Sequence, residues 1–261
     1  MTLRFLGTGT SFGIPVLGCD CPRCTSRDPR DRRTRHGALL ESEHGSRTLL
    51  VDTPPELRLQ LLDAGVSNLD AVWFTHEHAD HTAGMDDLRA FSAHGRAPVD
   101  AYAAEPVARV LRRRFSYIFD PSVRPPAGTT KPEIRLRTFE PFVEREIAGF
   151  RMLPLPVPHG DTDSYGFRVG GLGYLADAQE VPARVRAALA GVRVLVLSAL
   201  WYGNPHPTHM TVEEAVEVAR EIAAPRTYLV HLTHRVSHAE LEERLPPGVA
   251  PAHDGLTVQV P

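Results

Sequence analysis

Cysteine is scarce in this 261-residue chain: there are three, Cys19, Cys21 and Cys24, all inside one short stretch. An odd number packed this closely excludes the paired framework of a small secreted scaffold. Long apolar runs are missing too. No stretch approaches the roughly 18–20 consecutive apolar residues of a membrane span. The start, MTLRFLGTGTSFG, lacks the charged-then-apolar layout of a signal peptide. Nor is there an excess of one charge. The 29 Lys+Arg and 32 Asp+Glu give a formal charge of -3 and a pI near 6.5, so bulk charge attracts neither nucleic acid nor a membrane surface. Repeats, low-complexity tracts and linker-like stretches are also wanting. The expectation is a single domain over 1–261, cytoplasmic, with 42% hydrophobic residues to fill its core.

What is present is a mixed pattern. LRFLGTG, GALLES and SRTLLVDT read as strands, and PPELRLQLLDAG as a helix that opens on prolines and closes on Gly65. LDAVWF reads as a buried strand, and GMDDLRAFSAH (84–94) as a helix. Strand VDAYA and helix EPVARVLRRRFSYIF follow, then the Pro/Gly-rich loop DPSVRPPAGTTKP. Strands EIRLRTF, FRMLPLPV, SYGFRVG and LGYLAD precede a helix–strand alternation that ends in TYLVHL and LTVQV. Thr211 and Glu214 form a capping-box pair. Meandering strands followed by alternation point to an α/β protein with two sheets.

The chemistry concentrates in FTHEHADHTAG, residues 74–84, which places His76, His78, Asp80 and His81 within six positions. In extended chain alternate side chains share a face about 6–7 Å apart, so His76 and His78 reach round one cation. A turn into the next helix swings Asp80 and His81 to the other side. H-x-H-x-D-H thus starts two neighbouring metal sites, whereas a histidine-rich surface loop would not need this spacing. Later strand ends offer more ligands: His159 in PLPVPHGDTDS, Asp177 in GYLADAQE and His231 in TYLVHLTH. A carboxylate such as Asp177 is able to bridge two cations. The nitrogen and oxygen donors suit zinc, with manganese as competitor. Two such ions sharing a water lower its pKa from ~15.7 towards ~7, which makes a hydrolase site.

GCDCPRC sets Cys19, Cys21 and Cys24 in a C-x-C-x-x-C pattern, which suits one structural zinc with a fourth ligand from elsewhere. A redox pair is the alternative. His234 is the first candidate for the fourth ligand, with His238 and His36 behind it.

The THEHADH segment resembles the signature of the metallo-β-lactamase superfamily. The resemblance implies a four-layer αββα sandwich, two mixed sheets flanked by helices. It also implies that His76, His78 and His159 bind one metal and Asp80, His81 and His231 the other, with Asp177 bridging. His78 favours hydrolysis, because iron-using members usually carry Glu there. With LGTG, GCDCPRC, HPTH and HLTH added, residues 3–258 resemble the phosphoribosyl cyclic phosphodiesterase (PhnP-like) family. That family opens 5-phosphoribosyl 1,2-cyclic phosphate and tolerates 2′,3′-cyclic nucleotides. The implied function is a metal-dependent phosphodiesterase with Asp80 and His209 as catalytic residues. His209, just before a helix N-terminus, is the implied proton donor or phosphate contact, and His206 is the second choice.

LRRRFSYIFDPSVRPPAGTTKPEI departs from the family's shorter pattern. Residues 111–131 read as a helix and flap over the site mouth, with Arg112, Arg113 and Arg114 either facing it or forming a solvated face. Asp52 reads as an orienter of a ligand histidine or a helix cap. Arg33 and Arg35 are candidate phosphate contacts, and GTGTS a turn near the site. The expected partner is a small phosphodiester, with no membrane and no nucleic-acid polymer, and a homodimer left open. The competing functions are a thioester or lactone hydrolase, a tRNA 3′-end nuclease and a non-catalytic accessory factor of cofactor biosynthesis.

Overall fold

Short strand-forming runs punctuated by glycine and acidic turns order the first half of the chain. In the computed structural model, which describes residues 1–93 and 96–261, these are β1 (Thr2–Gly7), β2 (Gly37–Glu41) and β3 (Thr48–Val51). Then come α1 (Leu57–Asp63), β4 (Ala71–Trp73), α2 (Ala79–Thr82), α3 (Arg89–Ser92) and β5 (Val99–Ala104). Helices α4 (Glu105–Arg114) and α5 (Ser116–Phe119) lead to β6 (Ile134–Phe139). β7 (Arg145–Ile147), β8 (Phe150–His159), β9 (Thr162–Val169) and β10 (Leu172–Leu175) form a meander. The rest alternates: α6 (Ala183–Ala188), β11 (Val194–Ser198), α7 (Val212–Ile222) and β12 (Arg226–Val230). It closes with α8 (His238–Arg244), β13 (Val249–Pro251) and β14 (Thr257–Gln259).

The strands make two seven-stranded sheets, in the orders β14-β1-β2-β3-β4-β5-β6 and β13-β12-β11-β10-β9-β8-β7. Each is antiparallel at one end and parallel at the other. A single apolar core fills the space between them, with Phe5 and Trp73 from the first sheet and Phe167 and Tyr174 from the second. Trp73 stacks on Phe139 at 4.2 Å and donates its indole N–H to the Tyr165 carbonyl at 2.8 Å, across the layers. That buried donor has a partner, so the large side chain is buried without leaving a polar group orphaned. Leu57, Leu61, Val107 and Leu111 seat α1 and α4 on the outside of the first sheet. A second cluster, including Leu195, Val212, Ala215 and Ile222, seats α7 on the second. The expected αββα sandwich is the observed architecture.

Local chemistry explains the details. Gly65 takes φ +68° just past α1, where a β-carbon would be strained. Thr211 caps α7, accepting from the Glu214 N–H at 3.2 Å while Glu214 Oε2 accepts from the Thr211 N–H at 2.7 Å. Pro154, Pro156 and Pro158 fall at alternate positions of β8, beyond the part of that strand that pairs with β7. Their missing N–H groups therefore interrupt no ladder. The helix expected over EPVARVLRRRFSYIF breaks at Phe115 (φ -107°, ψ 43°) into α4 and α5. The one expected over 84–94 is a 3-10 turn, Met85–Leu88, followed by α3, and its last residue, His94, lies outside the described residues. Among the described residues no helix is long and apolar enough to cross a membrane.

Candidate metal centre

Each candidate ligand follows a strand end, and several sit where the backbone is bent to aim them. The chain leaves β4 through Phe74 and Thr75, and His78 is still extended (φ -60°, ψ 151°) as the N-cap of α2. His76 and His78 thus lie in extended chain and Asp80 and His81 in the helical turn, the split that the spacing implies. Asp177 after β10 and His231 after β12 both adopt positive φ, 52° and 61°, as does Asp52 after β3 at 62°. For residues with a β-carbon this left-handed conformation costs roughly 1–2 kcal/mol, a strain concentrated at one end of the sheets.

The side chains converge. His76 Nε2 and His159 Nε2 lie 3.0 and 3.2 Å from His78 Nδ1. Asp177 Oδ2 lies 3.2 Å from both His81 Nε2 and His231 Nε2, and 3.6 Å from His76 Nε2. Asp80 Oδ2 stands 3.5 Å from His81 Nε2 and 3.9 Å from His231 Nε2. Two groups of the expected ligands result, His76, His78 and His159, then Asp80, His81, Asp177 and His231, and a third, His159, Asp177 and His209, overlaps both. Two nitrogens on one tetrahedral zinc stand about 3.3 Å apart, so the nitrogen spacing fits a cation. All are buried except exposed His78 and half-buried Asp80, so the cluster opens to solvent beside His78.

The outer hydrogen bonds point the free lone pairs inward. His81 Nδ1 donates to Asp52 Oδ2 at 2.7 Å, and His159 Nδ1 to the Thr208 carbonyl at 2.9 Å. Thr75 Oγ1 gives its proton to Asp52 Oδ2 at 2.8 Å and so accepts from His76 Nδ1 at 3.0 Å. In each ring the proton is fixed on Nδ1 and Nε2 is left to bind a cation. His81 Nε2, His231 Nε2 and Asp177 Oδ1 are buried without a partner, a cost that a bound metal removes. Burial opposes charge here, yet Asp177 and Asp80 lift His231 to about 9, and Asp177 holds His81 well above the ordinary imidazole range. The cluster demands positive charge, and the donors fit divalent metals.

Asp52 therefore sits where an orienter of His81 is expected. Its cap role is not seen, since Glu56 precedes α1. Behind the cluster stands a residue whose role the sequence did not reveal. His36 is fully buried, its ring 5.6 Å from His81 and 6.3 Å from His231, and it accepts from the Tyr174 hydroxyl at 2.6 Å. Burial, then the neighbouring His81, pushes it down to about 3, so it is neutral. Thr75 and Thr208 were also missed. Only the position of Thr75, directly before His76, could have signalled its part.

His209 packs against the cluster, its ring 4.6 Å from His231 and 4.7 Å from His159, with Nδ1 unpartnered. Burial, then His231, pushes it down to about 3. His206 is one ring further out, 5.4 Å from His209. At the far side, His234 Nδ1 lies 3.4, 3.6 and 3.4 Å from the sulfurs of Cys19, Cys21 and Cys24. About 3.6 Å is the nitrogen–sulfur edge of a tetrahedral zinc. His238 and His36 do not reach the cysteines, since His238 Nδ1 faces Arg33 at 3.2 Å.

Other expectations fail. Arg33 is buried and spends its guanidinium on Thr8 Oγ1 at 2.8 Å and the Ala252 carbonyl at 2.6 Å, so it is a structural tie and not a phosphate contact. Arg35 is paired with Glu56. The GTGTS turn does lie beside the cluster: the Leu232 N–H donates to the Thr8 carbonyl at 3.0 Å. Gly7 is required there, because a β-carbon would stand 2.0 Å from the Arg35 carbonyl oxygen. Beside His78 and His159 a cavity of about 590 Å³ opens, with Glu77, Asp161, Gln179 and Thr208 in its wall. No residue of 111–131 is among those that line it. Residues 120–130 stand exposed, and Arg112 pairs with Glu105 at 3.7 Å. Arg114 alone turns to the metal loop, donating to the Glu77 carbonyl and to Thr82 Oγ1 at 3.1 Å.

Comparison with known proteins agrees with this geometry. Residues 47–232 match the β-lactamase superfamily domain. A solved structure described as a new diphosphatase from the PhnP family is 38% identical, covers 100% of this chain and 98% of its own, and superposes with a TM-score of 0.90. Zinc-bound PqqB from Methylobacterium extorquens, at 21% identity with both chains covered in full, shares the fold with a TM-score of 0.80. An octanoyltransferase of Porphyromonas gingivalis is 37% identical over 98% of this chain, but the chain spans only 51% of that protein's length. The chain belongs to the metallo-β-lactamase superfamily, in its PhnP family, and is a metal-dependent hydrolase.

Proposed function

We propose that the chain is a phosphodiesterase with a two-metal site, acting on small, cyclic phosphodiesters such as 5-phosphoribosyl 1,2-cyclic phosphate or 2′,3′-cyclic nucleotides. The observation that carries the reading is the convergence of seven nitrogen- and oxygen-donor side chains, Asp177 among them, with His209 packed against them. His76, His78 and His159 would hold one cation, Asp80, His81 and His231 the other, with Asp177 between them. Zinc is the first choice and manganese the second. Two such cations supply Lewis acidity and acidify a water. A further, structural zinc is assigned to Cys19, Cys21, Cys24 and His234.

The chain's own side chains do the rest. Asp52, Thr75 and the Thr208 carbonyl fix the ligand rings, so no reorganisation is needed as charge develops. His209 is neutral when nothing is bound. An anionic phosphoryl group beside it favours its protonated form, which can then give a proton to the leaving oxygen. The cavity is of small-ligand size. Glu77, Asp161 and Gln179 offer acceptors for sugar hydroxyls, and the absence of Arg or Lys from its wall disfavours a polyanion. The PhnP-family diphosphatase supports a second reading, cleavage of a diphosphate at the same metals.

The test is a kinetic panel on zinc- or manganese-loaded protein. It contains 5-phosphoribosyl 1,2-cyclic phosphate, a 2′,3′-cyclic nucleotide, an aryl phosphodiester, a nucleoside diphosphate and a thioester. Turnover of the cyclic phosphates supports the proposal, and turnover of the diphosphate alone replaces it with the second reading. Turnover of the thioester alone refutes both.

A further inference from the structure

The loop between β11 and α7 carries a built feature that the metal cluster does not use. The Arg235 guanidinium lies 4.0 Å from the centre of the Trp201 ring. Arg23 and Arg244 are both committed to Glu240, but Arg235 makes no ion pair among the described residues. Stacking on an indole holds the planar head in place and leaves its N–H edge free.

The placement is fixed from both sides. Trp201 donates its indole N–H to the Asn204 carbonyl at 2.9 Å. Thr233 Oγ1 donates to the Leu200 carbonyl at 3.0 Å, and the Arg235 N–H to Thr233 Oγ1 at 3.3 Å, which stitches the two loops together. Trp201 meets His206 edge-on at 5.5 Å, His206 is 5.4 Å from His209, and His209 adjoins the metal ligands. A shelf of rings thus runs from the cluster outward to the free guanidinium. Burial, then the positive charge of Arg235, holds the His206 pKa below its ordinary value. The cavity beside His78 and His159 holds Glu77 and Asp161, where a second anion would be repelled.

We infer that Arg235, shelved on Trp201, binds a second phosphate of the substrate, remote from the group that is cleaved, and selects doubly phosphorylated substrates over singly phosphorylated ones. A guanidinium fork pairs with a phosphate through two parallel N–H donors, which a lysine cannot reproduce. The assignment rests on the phosphodiesterase reading for its substrate, but its test separates from it.

The experiment compares 5-phosphoribosyl 1,2-cyclic phosphate with the same cyclic phosphate lacking the 5-phosphate, on the metal-loaded full chain. Arg235→Gln is expected to raise KM for the first compound about tenfold or more, as loss of a charge-assisted pair does, with kcat changed little. The selectivity between the two compounds falls by the same factor, and Arg235→Lys recovers only part of it. Equal losses on both compounds, or none on either, overturn the inference. If the wild type cleaves neither compound, the phosphodiesterase reading fails alone. Calorimetric titration with the same two compounds then decides: a preference for the 5-phosphate that Arg235→Gln abolishes supports the subsite, and no preference refutes it.

Discussion

Asp52 makes no contact with any donor position except His81, yet its replacement should be felt by a bound metal. Its carboxylate accepts three hydrogen bonds, from the Thr75 N–H at 2.8 Å, the Thr75 hydroxyl at 2.8 Å and His81 Nδ1 at 2.7 Å. Asp52→Asn keeps the shape, and Asn tolerates the left-handed backbone found there. It replaces one oxygen by an NH₂ donor. If the remaining oxygen stays on the Thr75 N–H, the amide donates to His81 Nδ1, and the imidazole proton moves to Nε2. That is the nitrogen 3.2 Å from Asp177 Oδ2, so a ligand lone pair is lost. If the amide flips, the buried Thr75 N–H faces another donor, at a cost of about 1–3 kcal/mol. Either route predicts a 10–100-fold loss of metal affinity, about 1.4–2.7 kcal/mol. Competition with a chromophoric zinc chelator at neutral pH measures it. An Asp52→Asn protein that binds its metals within about twofold of the wild type would refute the tautomer argument.

Three further outcomes are expected. His234→Ala should lose one zinc per chain by elemental analysis while keeping the other metals, and an unchanged zinc count would dismiss the cysteine site. Thr211→Ala removes a capping side chain and should cost about 1 kcal/mol, lowering the melting temperature by about 2–4 °C with metal content unaltered. An unaltered melting temperature would show that the capping box contributes nothing. His238 is pushed down to about 4 by burial and then by Arg33, against an ordinary value of 6.5. Below pH 6.5 the unfolded chain therefore takes up a proton that the folded chain refuses. Stability is full above 6.5 and declines as the pH falls towards 4. In denaturant titrations His238→Gln should flatten that decline, and parallel curves for the two proteins would count against it.

The metal cluster was legible because its constraints are local. His76, His78, Asp80 and His81 sit in one strand-to-helix passage, and the two backbone periodicities already separate them into pairs. His159, Asp177 and His231 were readable because each stands where an apolar strand ends. The second layer of contacts was not. Tyr174 and His36 are 138 residues apart and meet only when the two sheets are stacked. The fate of Arg33 was hidden for the same reason: its partners Ala252 and His238 come from the other end of the chain. The basic run at 112–114 left two readings open because a helix sends neighbouring residues to different sides. Arg114 meets the metal loop while Arg113 stays in solvent.

The two sheets do not contribute equally to the cluster, and the division has a mechanical meaning. His76, His78, Asp80 and His81 follow β4 of the first sheet, whereas His159, Asp177 and His231 close β8, β10 and β12 of the second. A cation seated among them is a rivet through both plates. At a thousandfold excess over its dissociation constant, a ligand bound only by the folded chain adds about 4.1 kcal/mol to its stability. The coupling is reciprocal: by as much as a bound metal tightens the packing between the plates, loosening that packing weakens the grip on the metal. The indole of Trp73, which touches no donor atom of the cluster but bonds across to the Tyr165 carbonyl, then helps to set how long a metal stays.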